Sequence, residues 1–149
     1  MTVIELETEI KAGILSCFDL ARSVDIHLQS TQKTREIVVA GRASGFCEQG
    51  DKITWEATHF GIRQRLSVEI TKLEKPTFFE DRMTRGAFKS MRHEHHFNEI
   101  NGITIMRDRF EYEVPLGWLG QLFDKLILKR YMTNFLLIRN KVIKEMAEK

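Results

Sequence analysis

Residues 89–114 read KSMRHEHHFNEINGITIMRDRFEYEV. Two alternating runs meet at Asn101-Gly102, a dipeptide that accepts the left-handed backbone at both centres of a type I′ hairpin turn. Successive strand side chains point to opposite faces. One face therefore collects Met91, His93, His95, Phe97, Met106, Asp108, Phe110 and Tyr112. A two-residue turn sets Ile100 against Ile103 and, counting outward, Phe97 against Met106, His95 against Asp108 and His93 against Phe110. A facing His95–Asp108 pair can hydrogen-bond, and the carboxylate would then favour the charged imidazole. An apolar face with two histidines and a carboxylate set into it suits a pocket lining better than a dry core.

The strands outward from this hairpin read the same way. Residues 77–84 place Phe79, Asp81 and Met83 on one face. Residues 62–73 place Ile62, Gln64, Leu66, Val68 and Ile70 together, opposite Arg63, Arg65 and Glu69. Residues 52–60 align Ile53, Trp55, Ala57 and His59, with Gly61 marking the reversal. Residues 36–41 are β-branched and end on a glycine, and residues 2–10 alternate with Ile4, Leu6 and Ile10 inward. Between the first two strands, Ile14, Cys17, Phe18 and Ala21 have helical spacing, and Ser23 and Asp25 can cap a second short helix. After Pro115, one amphipathic helix is expected over residues 118–147. Leu119, Leu122, Phe123, Leu126, Met132, Phe135, Leu136, Val142, Ile143 and Met146 form its apolar stripe. Short connections make neighbouring strands antiparallel. A one-faced sheet must bury that face, and the last helix is the only cover large enough. The fold class is α+β: a curved seven-stranded antiparallel sheet wrapped around a long C-terminal helix, with two short helices after the first strand.

Size and charge bound the rest. The 149 residues carry a formal charge of +2, too little by itself to argue for nucleic acid, and no nucleic-acid reading motif accompanies it. A chain of this length reads as one domain, residues 1–149. Residues 116–149 hold seven Lys/Arg against three Asp/Glu, so a membrane-surface or protein partner through a basic final helix is a candidate. Within it, Lys125, Lys129, Arg130, Arg139, Lys141 and Lys144 read as a solvated stripe. Cys17 and Cys47 are too few for a disulfide framework and read as small buried hydrophobes. No apolar run approaches bilayer-spanning length and the N-terminus is acidic and alternating, so a cytoplasmic location is expected.

The element order resembles the SRPBCC superfamily, the START-related helix-grip proteins, and most resembles its bacterial single-domain ligand-binding and polyketide-cyclase-like members. The resemblance is carried by ITWEATHFG (53–61), FFEDRM with GAF (78–88), HEHHF (93–97), MRDRFEYEVPLG (106–117) and the final helix. It implies a cavity between sheet and helix that takes a small hydrophobic molecule, lipid-like or polyketide-like. In that family the corner at Leu116, Trp118 and Leu119 would gate the cavity, although a plain hydrophobic staple is the simpler reading of those residues.

Trp55, His59, Gln64, Leu66, Phe79, Asp81, Met91, Met106, Phe110 and Tyr112 are thus the candidate ligand-binding residues, and His93, His95 and Asp108 the candidate catalytic ones. Four readings stay open. The polar groups form a satisfied internal network; they grip the polar atoms of a bound apolar molecule; a histidine oriented by Asp108 or Asp81 moves protons at an enolisable carbonyl; or the chain is a co-chaperone-like interaction module using its outer surface. His93-Glu94-His95 with Asp108 is a weak metal signal, and no metal or cofactor is expected.

Overall fold

The computed structural model describes residues 1–149. β1 (Thr2–Ile10) leads through α1 (Ile14–Ala21) and α2 (Val24–Ser30) to β2 (Ile37–Gly41), β3 (Lys52–His59), β4 (Ile62–Glu74), β5 (Phe78–Arg85), β6 (Ser90–Ile100) and β7 (Ile103–Glu113). α3 (Gly117–Phe123), a π-helical turn (Asp124–Leu128) and α4 (Lys129–Ala147) follow as one continuous helix. The seven strands form one antiparallel sheet in the order β1-β7-β6-β5-β4-β3-β2. This is the helix-grip arrangement expected from the sequence.

The central hairpin has the expected register, from Ile100↔Ile103 through His95↔Asp108 to Ser90↔Glu113. Asn101 and Gly102 both have positive φ, as a type I′ turn requires. β3 and β4 turn in the same way, at Phe60 and Gly61, with His59 opposite Ile62. A left-handed phenylalanine is unusual. Its ring packs 4.5 Å from that of Tyr131 and 5.6 Å from that of Phe123, which ties this turn to the long helix. Ser23 caps α2 by accepting a hydrogen bond from the Ile26 amide, whereas Asp25 lies within the first turn and accepts from the Gly45 amide instead.

One end of the sheet–helix interior is filled. Phe18 of α1 meets Phe79 and Phe97 edge to face at 5.5 and 5.4 Å, over Ile10, Met106 and Ile143, all buried. Burying Phe18 alone contributes roughly 2–3 kcal/mol. At the other end the sheet curves away from the helix and leaves space.

The long helix departs from expectation in one respect. Periodicity assigns Leu119, Leu122, Phe123 and Leu126 to the stripe that covers the sheet, yet all four are exposed. The stripe that packs inward begins with Leu128 and runs through Met132 and Leu136 to Ile143. A π turn adds a residue, and each residue rotates the face by about 100°. The apolar rows before and after Asp124–Leu128 therefore do not stay in phase. Asp124 itself is buried and accepts hydrogen bonds from the hydroxyls of Tyr112 and Thr2.

Candidate functional site

The space between sheet and helix is a cavity of about 670 Å³. Of its 32 lining residues 21 are hydrophobic, so most of an occupant's surface would meet carbon. Its open end is marked by residues that are also exposed: Phe60 and Ile62 from the β3–β4 turn, Leu116 and Phe123 from the start of the long helix. Its closed end is polar, formed by Asp81, His93, His95 and Arg139.

The strands deliver these groups in order. Asp81 lies beside His93 across β5–β6, and Asp108 lies beside His95 across β6–β7. The hydrogen bonds, however, run diagonally. His93 Nε2 lies 2.8 Å from Asp108 Oδ1, and His95 Nε2 lies 2.8 Å from Asp81 Oδ2. His95 Nδ1 is 3.6 Å from Asp108. The expected direct His95–Asp108 hydrogen bond is therefore replaced by one to His93, two positions along the strand. Diagonal neighbours on a sheet face are within reach of long side chains.

Arg139 and Asn140 of α4 complete the network. Arg139 Nη1 donates to Asn140 Oδ1 at 3.0 Å and reaches Asp108 Oδ1 at 3.5 Å. Its Nη2 donates to the Ala21 carbonyl at 3.1 Å and to His95 Nδ1 at 3.3 Å. Asn140 Nδ2 donates to Asp108 Oδ2 at 2.7 Å. The charge pattern of the sequence places Arg139 in a solvated basic stripe; in the fold it is buried, with its guanidinium inside the protein.

These contacts fix the proton positions. A guanidinium only donates, so His95 Nδ1 is the acceptor and Nε2–H points at Asp81. Burial, with the Arg139 guanidinium adding to it, holds His95 well below the usual imidazole range. Asp108 does favour the charged imidazole, as the sequence leads one to expect, but burial and the neighbouring cation outweigh it. Burial raises the Asp81 carboxyl above its ordinary value. Burial also pushes Asp108 upward, but the hydrogen bond from His93 and the cationic neighbours reverse this, so Asp108 sits below the ordinary carboxylate range. Asp108 is then the acceptor and His93 Nε2 the donor. His93 Nδ1 and Asp81 Oδ1 have no protein partner, and neither is sealed from solvent, since the one fully enclosed unpaired side-chain polar atom is Glu80 Oε1 on the outer face. Asp81 and His93 both line the cavity, and 17% of the Asp81 side chain is accessible.

Donor atoms of Asp81, His93 and His95 lie within 4.8 Å of one another, a spacing a metal could use. The surroundings are those of a hydrogen-bond network instead: both His95 nitrogens have partners, and the Arg139 cation stands against the ring.

Of the sequence-derived ligand-binding residues, Trp55, His59, Gln64, Leu66, Phe79, Asp81, Met91 and Phe110 line the cavity. Met106 and Tyr112 do not. Met106 belongs to the filled core, and the Tyr112 hydroxyl is taken by Asp124. Asp108 stands behind the wall, reaching it through His93. His59 Nδ1 lies 2.6 Å from the Tyr131 hydroxyl, and Gln64 donates to the His59 carbonyl. Burial lowers His59 below its ordinary value. Sequence reasoning missed His27, whose ring stacks at 4.1 Å on Trp55 and bonds Glu36 at 2.7 Å, and it missed Asn140. Arg139 and Asn140 were detectable. They follow Leu136 by three and four and precede Ile143 by four and three, so both fall on the inward stripe.

No family model matches the chain, and no curated protein matches it in sequence. Solved structures do. TTHA0849 from Thermus thermophilus superposes with a TM-score of 0.78 at 18% identity, over 97% of this chain and 95% of that one. Ginseng major latex-like protein 151 from Panax ginseng gives 0.73 at 16% identity, over 99% and 98%. A START superfamily protein from Mycobacterium smegmatis gives 0.73 at 12% identity, over 98% and 97%. At these identities the likeness establishes the architecture: this chain has the helix-grip fold of START and major latex-like proteins.

Proposed function

We propose that this protein binds a mostly apolar small molecule in the sheet–helix cavity, with a polar group of that molecule held between Asp81 Oδ1 and His93 Nδ1. One observation carries the reading. An interior of about 670 Å³, walled mainly by carbon, ends in two hydrogen-bonding atoms that have no protein partner. The fold shared with a START superfamily protein supports the same reading.

The direct test fills the cavity. Ala57 is buried on the cavity wall. Ala57→Phe should place a ring in the void and weaken binding of an apolar fluorescent dye at least about tenfold, or some 1.4 kcal/mol, with the fold intact. Equal dye binding by both proteins would place the dye elsewhere and remove this support.

A second reading is acid–base catalysis, favoured by the arrangement Asp108–His93 with a free imidazole nitrogen facing Asp81. His93 Nδ1 would take a proton from the carbon beside a carbonyl, the electron pair moving onto the carbonyl oxygen. The bound molecule recovered after incubation in heavy water should then carry deuterium with wild type and not with His93→Gln. Identical, unlabelled ligand from both would rule the reaction out.

A further inference from the structure

The start of the long helix carries an apolar surface that covers nothing. Leu116 is 78% exposed, Trp118 71% and Leu126 66%; Leu119, Leu122, Phe123 and Ile127 are exposed as well. Beside them stands Ile62, 63% exposed, on the turn that Phe60 fastens to Phe123. Contiguous apolar surface on this scale marks an interaction site, since monomers rarely expose more than a few hundred Å² in one patch.

Two observations select the occupant. The first is charge. Lys125, Lys129 and Arg130 are interleaved with or flank the patch and are exposed. The one acid between Leu116 and Met132, Asp124, is buried and held by Tyr112 and Thr2. The charge presented by this segment is therefore wholly positive. The second is position. Phe60, Ile62, Leu116 and Phe123 belong both to the patch and to the cavity lining, so the apolar surface is continuous with the opening.

We infer that this face docks on the surface of an anionic lipid bilayer, with Trp118, Leu119, Leu122 and Leu126 entering the headgroup–acyl boundary and the lysines meeting lipid phosphates. An amphipathic segment with aromatic and aliphatic residues on one side and basic residues beside it binds in this manner. Docked so, the cavity mouth opens into the apolar layer, and a hydrophobic molecule passes between bilayer and cavity without crossing water. The docking stands on the exposed face alone; the passage of a ligand rests on the cavity reading above.

Flotation with vesicles tests it, using phosphatidylcholine alone and phosphatidylcholine mixed with phosphatidylglycerol. The protein should float with the anionic vesicles and be released as salt rises. Trp118 fluorescence should shift to the blue on binding, and the shift should vanish in Trp118→Phe. Trp118→Ser/Leu126→Ser and Lys125→Glu/Lys129→Glu alter exposed side chains; each should lower vesicle affinity at least about tenfold with an unchanged circular dichroism spectrum. Native mass spectrometry of these variants reads the cavity separately: they should retain whatever the wild type holds. Failure to float at low salt, or variants that float like wild type, would overturn the proposal. A concentration-dependent dimer that Trp118→Ser/Leu126→Ser dissolves, without vesicle binding, would assign the face to a second copy of the chain and overturn it equally.

Discussion

The polar end of the cavity turns on one carboxylate. Asp108 accepts from His93, Asn140 and Arg139, and none of the four side chains reaches solvent freely. Asp108→Asn keeps the shape but leaves the Arg139 guanidinium without its counter-charge. Breaking a buried pair in this way should cost about 3–5 kcal/mol, measured by urea unfolding. The double variant Asp108→Leu/Arg139→Met removes both charges together. Its loss should fall well short of the sum of its single variants, by about 1–3 kcal/mol; simple additivity would mean that the two groups do not interact.

The same site predicts a pH dependence. Burial holds His95 below its ordinary value. Below about pH 6.5 the unfolded chain takes up a proton there that the folded chain refuses, so this stability is present above that pH and declines as the pH falls. Asp81, raised in the folded state, acts in the opposite sense: the folded chain takes its proton first as pH drops. Comparison with His95→Gln separates the two. Between about pH 6.5 and 4.5, wild type should lose stability more steeply than the variant, by up to about 1.4 kcal/mol per pH unit. Parallel curves would mean that His95 titrates normally. The facing positions of His95 and Asp108 could be counted from the turn, because a two-residue turn fixes register. The hydrogen-bond partners could not, because side-chain reach and the cation from α4 choose between direct and diagonal neighbours.

Among the elements, the strands were the most legible. Alternation from Ile53 to Tyr112 assigned the buried face, and Gly61 and Gly102 marked two of the reversals. The long helix was half legible. Its length could be read, but its apolar residues recur at helical spacing on both sides of Asp124, and periodicity alone does not reveal that a π turn breaks the phase. The same habit of sorting by charge assigned Arg139 to solvent, although its spacing from Leu136 places it inward. One glycine in this helix has a readable cause: a Cβ on Gly120 would stand 1.8 Å from the Pro115 carbonyl oxygen. The corner between β7 and α3 closes only without a side chain there. Gly120→Ala should therefore destabilise the protein by more than about 1 kcal/mol despite alanine's better helix propensity; a rise in Tm would mean that the corner has slack.

For the whole molecule, the same sheet and helix give a packed end and an open end. Phe18, Phe97 and Met106 fill one; the curvature of β3 and β4 away from α4 empties the other. The order of elements was enough to imply this architecture, since a one-faced sheet has to curl around its single cover. Sequence could not say how much space remains, because that depends on how every side chain packs. The volume, its carbon walls and the unpaired Asp81 and His93 atoms together point to an occupied cavity. Native mass spectrometry of the protein as purified from cells tests it most directly. Wild type should carry an added mass that denaturation releases as a mostly apolar molecule, and Ala57→Phe should lack it. A wild type that flies at its bare mass, and that no metabolite in a broad screen stabilises against heat, would contradict the account.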